Sequence, residues 1–154
     1  MGIEIERKFL LAGDAWRGLG QAVLLRQGYL SSTRERVVRV RIEGEQAMLT
    51  IKGANVGATR GEWEYPIPLA DASELLDGLC EQPLIEKYRH RIEHAGMVWE
   101  VDEFLGANAG LVVAEIELAS EDQPFEKPDW IGAEVSGDAR YYNANLIRHP
   151  FSQW

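Results

Sequence analysis

Glu4, Glu6 and Lys8 stand two residues apart in the opening run Met1-Gly2-Ile3-Glu4-Ile5-Glu6-Arg7-Lys8-Phe9-Leu10. On an extended strand they share one face, and Ile3, Ile5, Arg7 and Phe9 take the other. Two carboxylates and an ammonium on one face have the chemistry of a site for a hard divalent cation and a phosphate, because carboxylate oxygens bind the first and Lys or Arg the second. Taken alone, such a strand is usually half-buried with its charges in water, since Lys, Glu, Arg and Asp are seldom buried. The same parity recurs in the other extended segments, with Arg39 and Arg41, Thr50 and Lys52, then Glu62 and Glu64. Lys87, Arg89 and Arg91 follow, then Glu100 and Asp102, and finally Glu115 and Glu117. Each strand carries mainly one sign, whereas a solvated face normally intersperses both.

These charges must be positioned by a folded unit, and 154 residues suffice for a single domain spanning 1–154 that buries about two thirds of its unfolded surface. A hydrophobic content of 45% with 27% charged residues is that of a soluble globular chain. Neither end shows a signal-peptide pattern or a membrane-spanning run, so a cytoplasmic location with no membrane partner is expected. Cys80 is the single cysteine, which excludes intrachain disulfides and thiolate zinc clusters and suits a buried apolar filler. The net charge of -9 argues against a nucleic-acid binder. Yet of 16 Lys and Arg, seven (Lys8, Arg39, Arg41, Lys52, Lys87, Arg89 and Arg91) fall on the charged faces, an arrangement suited to holding a small polyanion locally.

Turn residues place these strands in hairpins. Glu43-Gly44-Glu45-Gln46 separates two runs between Val37 and Lys52, and His94-Ala95-Gly96-Met97 separates Lys87–Glu93 from Val98–Phe104. Asp71, with Glu74 three residues on, predicts a capped helix that ends near Gln82-Pro83. A second helix is predicted from Asp138 through Ile147, stopping before Pro150, and a weaker third over Trp16–Ala22. A faint internal repeat runs through the chain, in which Arg39 and Arg41 recur as Arg89 and Arg91, and Glu62 and Glu64 as Glu115 and Glu117. Two copies are too few for a solenoid, so one sheet closed by two related halves is expected.

The apolar faces, rich in Val, Ile, Leu and Trp, need cover, and helices packed outside a closed sheet would leave the charged faces lining the interior. The expected class is therefore α+β, mainly antiparallel β: a closed eight-stranded tunnel-like barrel with helices outside. A barrel of about eight strands has room for one small ligand. Charges of both signs inside are tolerable where they pair or hold a ligand, since desolvating an isolated ion costs several kcal/mol. Arg and Lys would clamp phosphates, and carboxylates about 7 Å apart along a strand would share Mg²⁺ or Mn²⁺. Together they describe a site for a triphosphate and metal.

On these residues the chain resembles the CYTH superfamily, the triphosphate tunnel metalloenzymes. Glu4-Ile5-Glu6-Arg7-Lys8 matches that family's ExExK opening. The likeness continues through Arg39-Val40-Arg41, Thr50-Ile51-Lys52, Glu62-Trp63-Glu64, Lys87-Tyr88-Arg89, Glu100-Val101-Asp102, Glu115-Ile116-Glu117 and the stretch Asp129–Tyr141. It implies an eight-stranded antiparallel tunnel that hydrolyses a triphosphate with a divalent metal. By that analogy Lys8, Arg39, Arg41, Lys52, Lys87, Arg89 and Arg140 bind phosphates, and Glu4, Glu6, Glu115 and Glu117, with Asp102, hold metal. Lys87, or a metal-linked carboxylate such as Glu4 or Glu6, orients or deprotonates the attacking water. Glu62 and Glu64 stand between assisting the metal and neutralising arginines, and Arg91 is a structural or rim charge. The chain departs from some members at Tyr142, where they carry a lysine.

Short bacterial members with this opening look like inorganic tripolyphosphatases, so tripolyphosphate is the first expected substrate. A nucleoside triphosphate, as in a class IV adenylate cyclase, and thiamine triphosphate are alternatives, although nothing marks a base pocket. A non-catalytic polyphosphate-binding module is the alternative of another class, disfavoured because phosphate capture needs no carboxylates. A homodimer through an outer sheet face is compatible with the architecture. His90, His94 and His149 are too isolated for a metal cluster, and Trp63 and Trp99, opposite the charges, read as outer packing.

Overall fold

The computed structural model describes residues 2–154, and the alternating runs within them form nine strands. These are β1 (Gly2–Leu11), β2 (Ala22–Thr33), β3 (Arg36–Glu43), β4 (Gln46–Lys52), β5 (Thr59–Pro66), β6 (Ile85–His94), β7 (Met97–Phe104), β8 (Val112–Glu117) and β9 (Ile131–Glu134). Eight of them follow one another as β5-β4-β3-β2-β6-β7-β8-β1, and β1 pairs back onto β5. All of these pairings are antiparallel, so the eight strands close into a barrel. The closed eight-stranded antiparallel barrel expected from the residue parity is present, with β9 as an extra strand on the second half of β1.

The two halves suspected from the repeat are meanders. β3-β4-β5 and β6-β7-β8 are each joined by consecutive antiparallel pairs; β2 links β3 to β6, and β1 links β5 to β8. Their hairpins turn where the residues predict. Glu43 faces Gln46 across a turn with Gly44 at φ +61°, and His94 faces Met97 with Ala95 and Gly96 at φ +51° and +79°. Two successive residues with positive φ match the right-handed twist of the flanking strands.

β2 is the strand that charge parity does not reveal. Its inward residues include Gln27 and Tyr29, neutral groups that carry no sign to sort. Its outward Gly28 lies under the first helix, α1 (Leu69–Gly78), and the chain that follows it. A Cβ there would meet the side chains of Leu84 at 2.6 Å and Cys80 at 2.9 Å, so glycine is what permits this approach.

Cover outside the barrel is helical on one side only. α1 packs Ala72 and Leu76, together with buried Cys80, against Val40 and Ala47 of β3 and β4. Elsewhere irregular chain does the same work: Trp16, Phe125 and Trp130 close over Phe9, Trp99, Val101 and Ile116. Their rings meet edge to face, with Phe9 and Trp99 at 5.5 Å and Trp99 and Phe125 at 5.7 Å between centroids. The region Trp16–Ala22 is accordingly a turn leading into β2, not a helix.

Two helix ends also differ from expectation. α1 begins at Leu69 after Pro68 with no side-chain cap, so Asp71 sits within its first turn, and the helix stops at Gly78, short of Gln82-Pro83. The helix predicted from Asp138 is broken. A 3₁₀ turn over Ala139–Tyr141 is capped by Asp138, Tyr142 is extended at φ -70° and ψ 128°, and α2 (Asn143–Leu146) follows. The break comes from packing. Tyr141, Leu146 and Ile147 insert among Tyr29, Val37, Ile85, Phe104 and Val113, inward residues at one end of the barrel. A continuous helix would carry only part of that set on its buried side.

Candidate active site

The interior is ionic along much of its length and apolar at the end covered by the C-terminal segment. It encloses a cavity of about 530 Å³, within the size range of small-ligand sites. Glu4, Glu6, Lys8, Arg39, Arg41, Lys52, Glu62, Glu64, Lys87, Arg89, Glu115 and Glu117 all line it. The structure thus brings together twelve of the fourteen candidate site residues. The two it leaves out are Asp102 and Arg140.

Asp102 is fully buried behind the cavity wall. Its oxygens accept two hydrogen bonds from Arg89, both at 2.8 Å, and Lys87 Nζ lies 2.8 Å away. Burial opposes its charge, but the two cations prevail and hold the carboxyl far below its ordinary range. Arg140 lies outside, exposed, pairing with Asp138 at 2.7 Å and resting over the rings of Tyr141 and Trp154. Arg91 sits at the rim, bonded to Glu43 and Glu100.

The remaining charges fall into satisfied and unsatisfied sets. Lys52 pairs with Glu4 at 2.8 Å and with Glu62 at 3.4 Å, and Lys8 with Glu115 at 3.5 Å. Burial works against Glu4, yet Lys52 and then Arg60 keep it well below the usual carboxylate range. Burial likewise opposes Glu115, but Lys8 and Arg89 hold it down at about 2. Glu62 and Glu64 serve as counter-charges in this state. Glu64 accepts from Thr50 at 2.8 Å and lies 3.6 Å from Arg39.

Arg41 is different. Its Nε donates to the buried amide of Gln27 at 2.8 Å, and among the described residues it has no carboxylate partner. Burial, with Arg39 and Arg89 beside it, carries it down to about 9, which leaves it charged at neutral pH. Arg39 keeps a buried Nε without any acceptor among the described residues. Unmet donors on two adjacent arginines are a standing demand for an anion.

The opposite demand lies across the cavity. Glu6 and Glu117 are directly opposed in the β1–β8 register, and neither has a cation or hydrogen-bond donor among the described residues. Burial first, then Glu115 and Glu4, push the Glu6 carboxyl well above its ordinary value, and Glu117 is raised in the same sense. Like charges facing across a ladder are destabilising unless something lies between them. The donor set is all oxygen, as hard divalent cations require. Among the described residues no three acidic or imidazole groups converge closely enough to hold an ion unaided, so phosphate and water oxygens would complete its sphere.

Lys87 links these features. It is 1% exposed and bonds to Asp102 and to Asn143 Oδ1 at 2.9 Å. Burial dominates; Asp102 opposes it, Arg89 and Arg41 reinforce it, and the ammonium comes down to about 7.

Sequence reasoning missed several lining groups. Arg60, whose Nε lies 3.2 Å from Glu4, continues the parity of Glu62 and Glu64 one step earlier and was legible there. Asn143 also lines the cavity but is neutral and carries no such mark, and the same is true of Gln27, fully buried behind it.

Comparison with known proteins agrees with this geometry. A family model described as the CYTH domain matches residues 2–150. An inorganic triphosphatase of Acetivibrio thermocellus is 51% identical over 154 residues, covering 100% of this chain and 99% of that protein. A second inorganic triphosphatase, from Nitrosomonas europaea, is 38% identical over 147 residues, covering 93% and 95%. A crystal structure of an inorganic triphosphatase superposes with a TM-score of 0.68 at 36% identity, covering 96% of this chain and 95% of its own.

Proposed function

This chain belongs to the CYTH domain family, and from that premise we propose that it hydrolyses a triphosphate inside the tunnel, with inorganic tripolyphosphate as first substrate. The observation that carries the reading is unmet demand of both signs within one cavity. Among the described residues Arg41 has no carboxylate partner, Arg39 keeps an Nε without an acceptor although Glu64 lies beside it, and Glu6 and Glu117 pair with no cation. A triphosphate brought in with a divalent cation answers both.

Glu6 and Glu117, with Glu4 and Glu115, would hold Mg²⁺ or Mn²⁺, which when bound neutralises phosphate charge and acidifies water. Arg39 and Arg41 would clamp the phosphate oxygens by their forks, with Lys8 and Lys52 adding point charges once ligand competes with Glu115 and Glu4. Arg89, locked on Asp102 through two parallel bonds, is wall and field more than a mobile clamp. Asp102 then serves as the buried counter-charge that fixes Arg89 and Lys87, and Arg140 as a charge outside the tunnel. Lys87, near neutrality in its proton equilibrium, would orient the attacking water and accept its proton. The water oxygen bonds to the terminal phosphorus, the bridging P–O bond breaks, and orthophosphate and pyrophosphate leave.

We place the enzyme in the cytoplasm, acting on a small polyanion and not on nucleic acid, in keeping with its net charge of -9. Among the described residues no helix is long and apolar enough to cross a membrane. Phosphate release from tripolyphosphate, ATP, thiamine triphosphate and pyrophosphate, each with Mg²⁺, Mn²⁺ or chelator, tests the reading. Metal-dependent release fastest from tripolyphosphate is expected. Release that persists in chelator, or a cyclic nucleotide formed from ATP with tripolyphosphate inert, would overturn it.

A further inference from the structure

Asn143 enters the tunnel because the C-terminal segment breaks at Tyr142 and restarts as α2, and it lines the cavity beside Lys87. Its amide is held from two sides. Lys87 Nζ donates to Oδ1 at 2.9 Å, and Gln27 Nε2 donates to the same oxygen at 3.3 Å. Gln27 is itself fixed: it is fully buried, its Oε1 accepts from Arg41 and its Nε2 also reaches Tyr29 Oη at 2.9 Å. A guanidinium can only donate, so Gln27 turns its Oε1 to Arg41 and its Nε2 to Asn143, whose atom there must be the oxygen. The orientation of this amide is therefore set by chemistry and not by a choice between look-alike atoms.

With Oδ1 doubly occupied, the Nδ2 amino group is turned the other way. It has no partner among the described residues, and the partly buried side chain lines the cavity, so this amino group is not sealed in the protein. From these contacts the geometry points to Asn143 as a substrate-binding residue: its Nδ2 is a neutral donor for a phosphate oxygen, while its Oδ1 positions Lys87. This rests on the reading that a triphosphate occupies the tunnel. A neutral donor here has a physical logic, because Arg41, Lys87 and Arg89 already crowd this wall with positive charge. A further cation would depress its neighbours still more, whereas an amide adds a hydrogen bond and no charge.

The test is Asn143→Asp, which keeps the size of the side chain and an oxygen for Lys87 but replaces the donor with an anionic oxygen facing the ligand. KM for tripolyphosphate under saturating Mg²⁺ should rise about tenfold or more, and further than in Asn143→Ala, at a melting temperature close to that of the parent. Arg39→Ala is run alongside. If Arg39→Ala raises KM and Asn143→Asp leaves it within about twofold of the parent, Asn143 is only a structural latch and the inference fails. If neither variant changes KM, the occupied-tunnel reading itself falls and takes this inference with it.

Discussion

Glu6→Gln is expected to abolish metal-dependent phosphate release and, in the same protein, to raise the melting temperature measured in chelator. The two effects have opposite signs because one group serves two states. In the metal-free state Glu6 is a partly buried carboxylate facing Glu117, with Glu115 and Glu4 nearby and no ion-pair partner among the described residues. Removing its charge relieves that repulsion, by on the order of 1 kcal/mol, or about 2–4 °C for a domain of this size. In the working state the same oxygens are ligands, and losing several kcal/mol of charge neutralisation in the transition state lowers turnover by about 100-fold or more. A residue that only supports the fold would show neither the stabilisation nor the selective loss.

The pH dependence follows from the same shift. The folded-state pKa of Glu6, and those of Glu62 and Glu117, lie above the ordinary value of 4.5, so the folded protein keeps protons that the unfolded chain releases. Stability from these groups is fully present below 4.5 and is lost as pH rises through the raised values. Glu4 and Glu115, held low, act in the opposite sense, and their contribution disappears only as pH falls beneath 4.5. Thermal scans of the metal-free protein should thus show stability declining above that pH, with a shallower decline in Glu6→Gln. Mg²⁺ added at neutral pH should stabilise the parent more than the variant, since only the parent retains the full ligand set.

Arg39→Ala should weaken tripolyphosphate binding by more than about tenfold, the loss expected when hydrogen bonds to a charged ligand are removed. Arg39 is 8% exposed, its Nη2 donates to Thr50 at 3.2 Å, and its Nε has no acceptor among the described residues. The truncation leaves Thr50 bonded to Glu64 and leaves Glu64 in contact with water, so the fold should survive. The effect should fall mainly on KM. Arg39→Lys keeps the charge but not the fork and should lie between the parent and alanine. An unchanged affinity in Arg39→Ala would remove the arginine pair from the account.

Much of this architecture was legible because a strand alternates strictly and a tunnel inverts the usual rule about which face is wet. Where inward residues were charged, as in β1, β3, β6 and β8, parity located the strand and its cavity-lining residues together. β2 escaped because Gln27 and Tyr29 do their work uncharged. The outer cover was misjudged for a related reason: Trp16, Phe125 and Trp130 cover apolar strands from loops, which have no period to detect. Charge pattern alone also could not tell Asp102 from its neighbours on the same parity. Its place beside Arg89 in the β6–β7 register makes it a buried counter-charge with no oxygen to spare. Arg140 was misplaced because the helix expected to carry it breaks at Tyr142, and the break sends Asn143 inward instead.

Metal and phosphates are expected to meet inside the barrel, between Glu6 and Glu117 of β1 and β8 and the arginines of β3. A crystal of Glu6-intact protein soaked with Mn²⁺ and a non-hydrolysable tripolyphosphate analogue, read by manganese anomalous scattering, tests it directly. Manganese is expected against Glu6 and Glu117, with phosphate oxygens on Arg39 and Arg41. Manganese and analogue bound only on the outer surface, with the bore holding water alone, would contradict it.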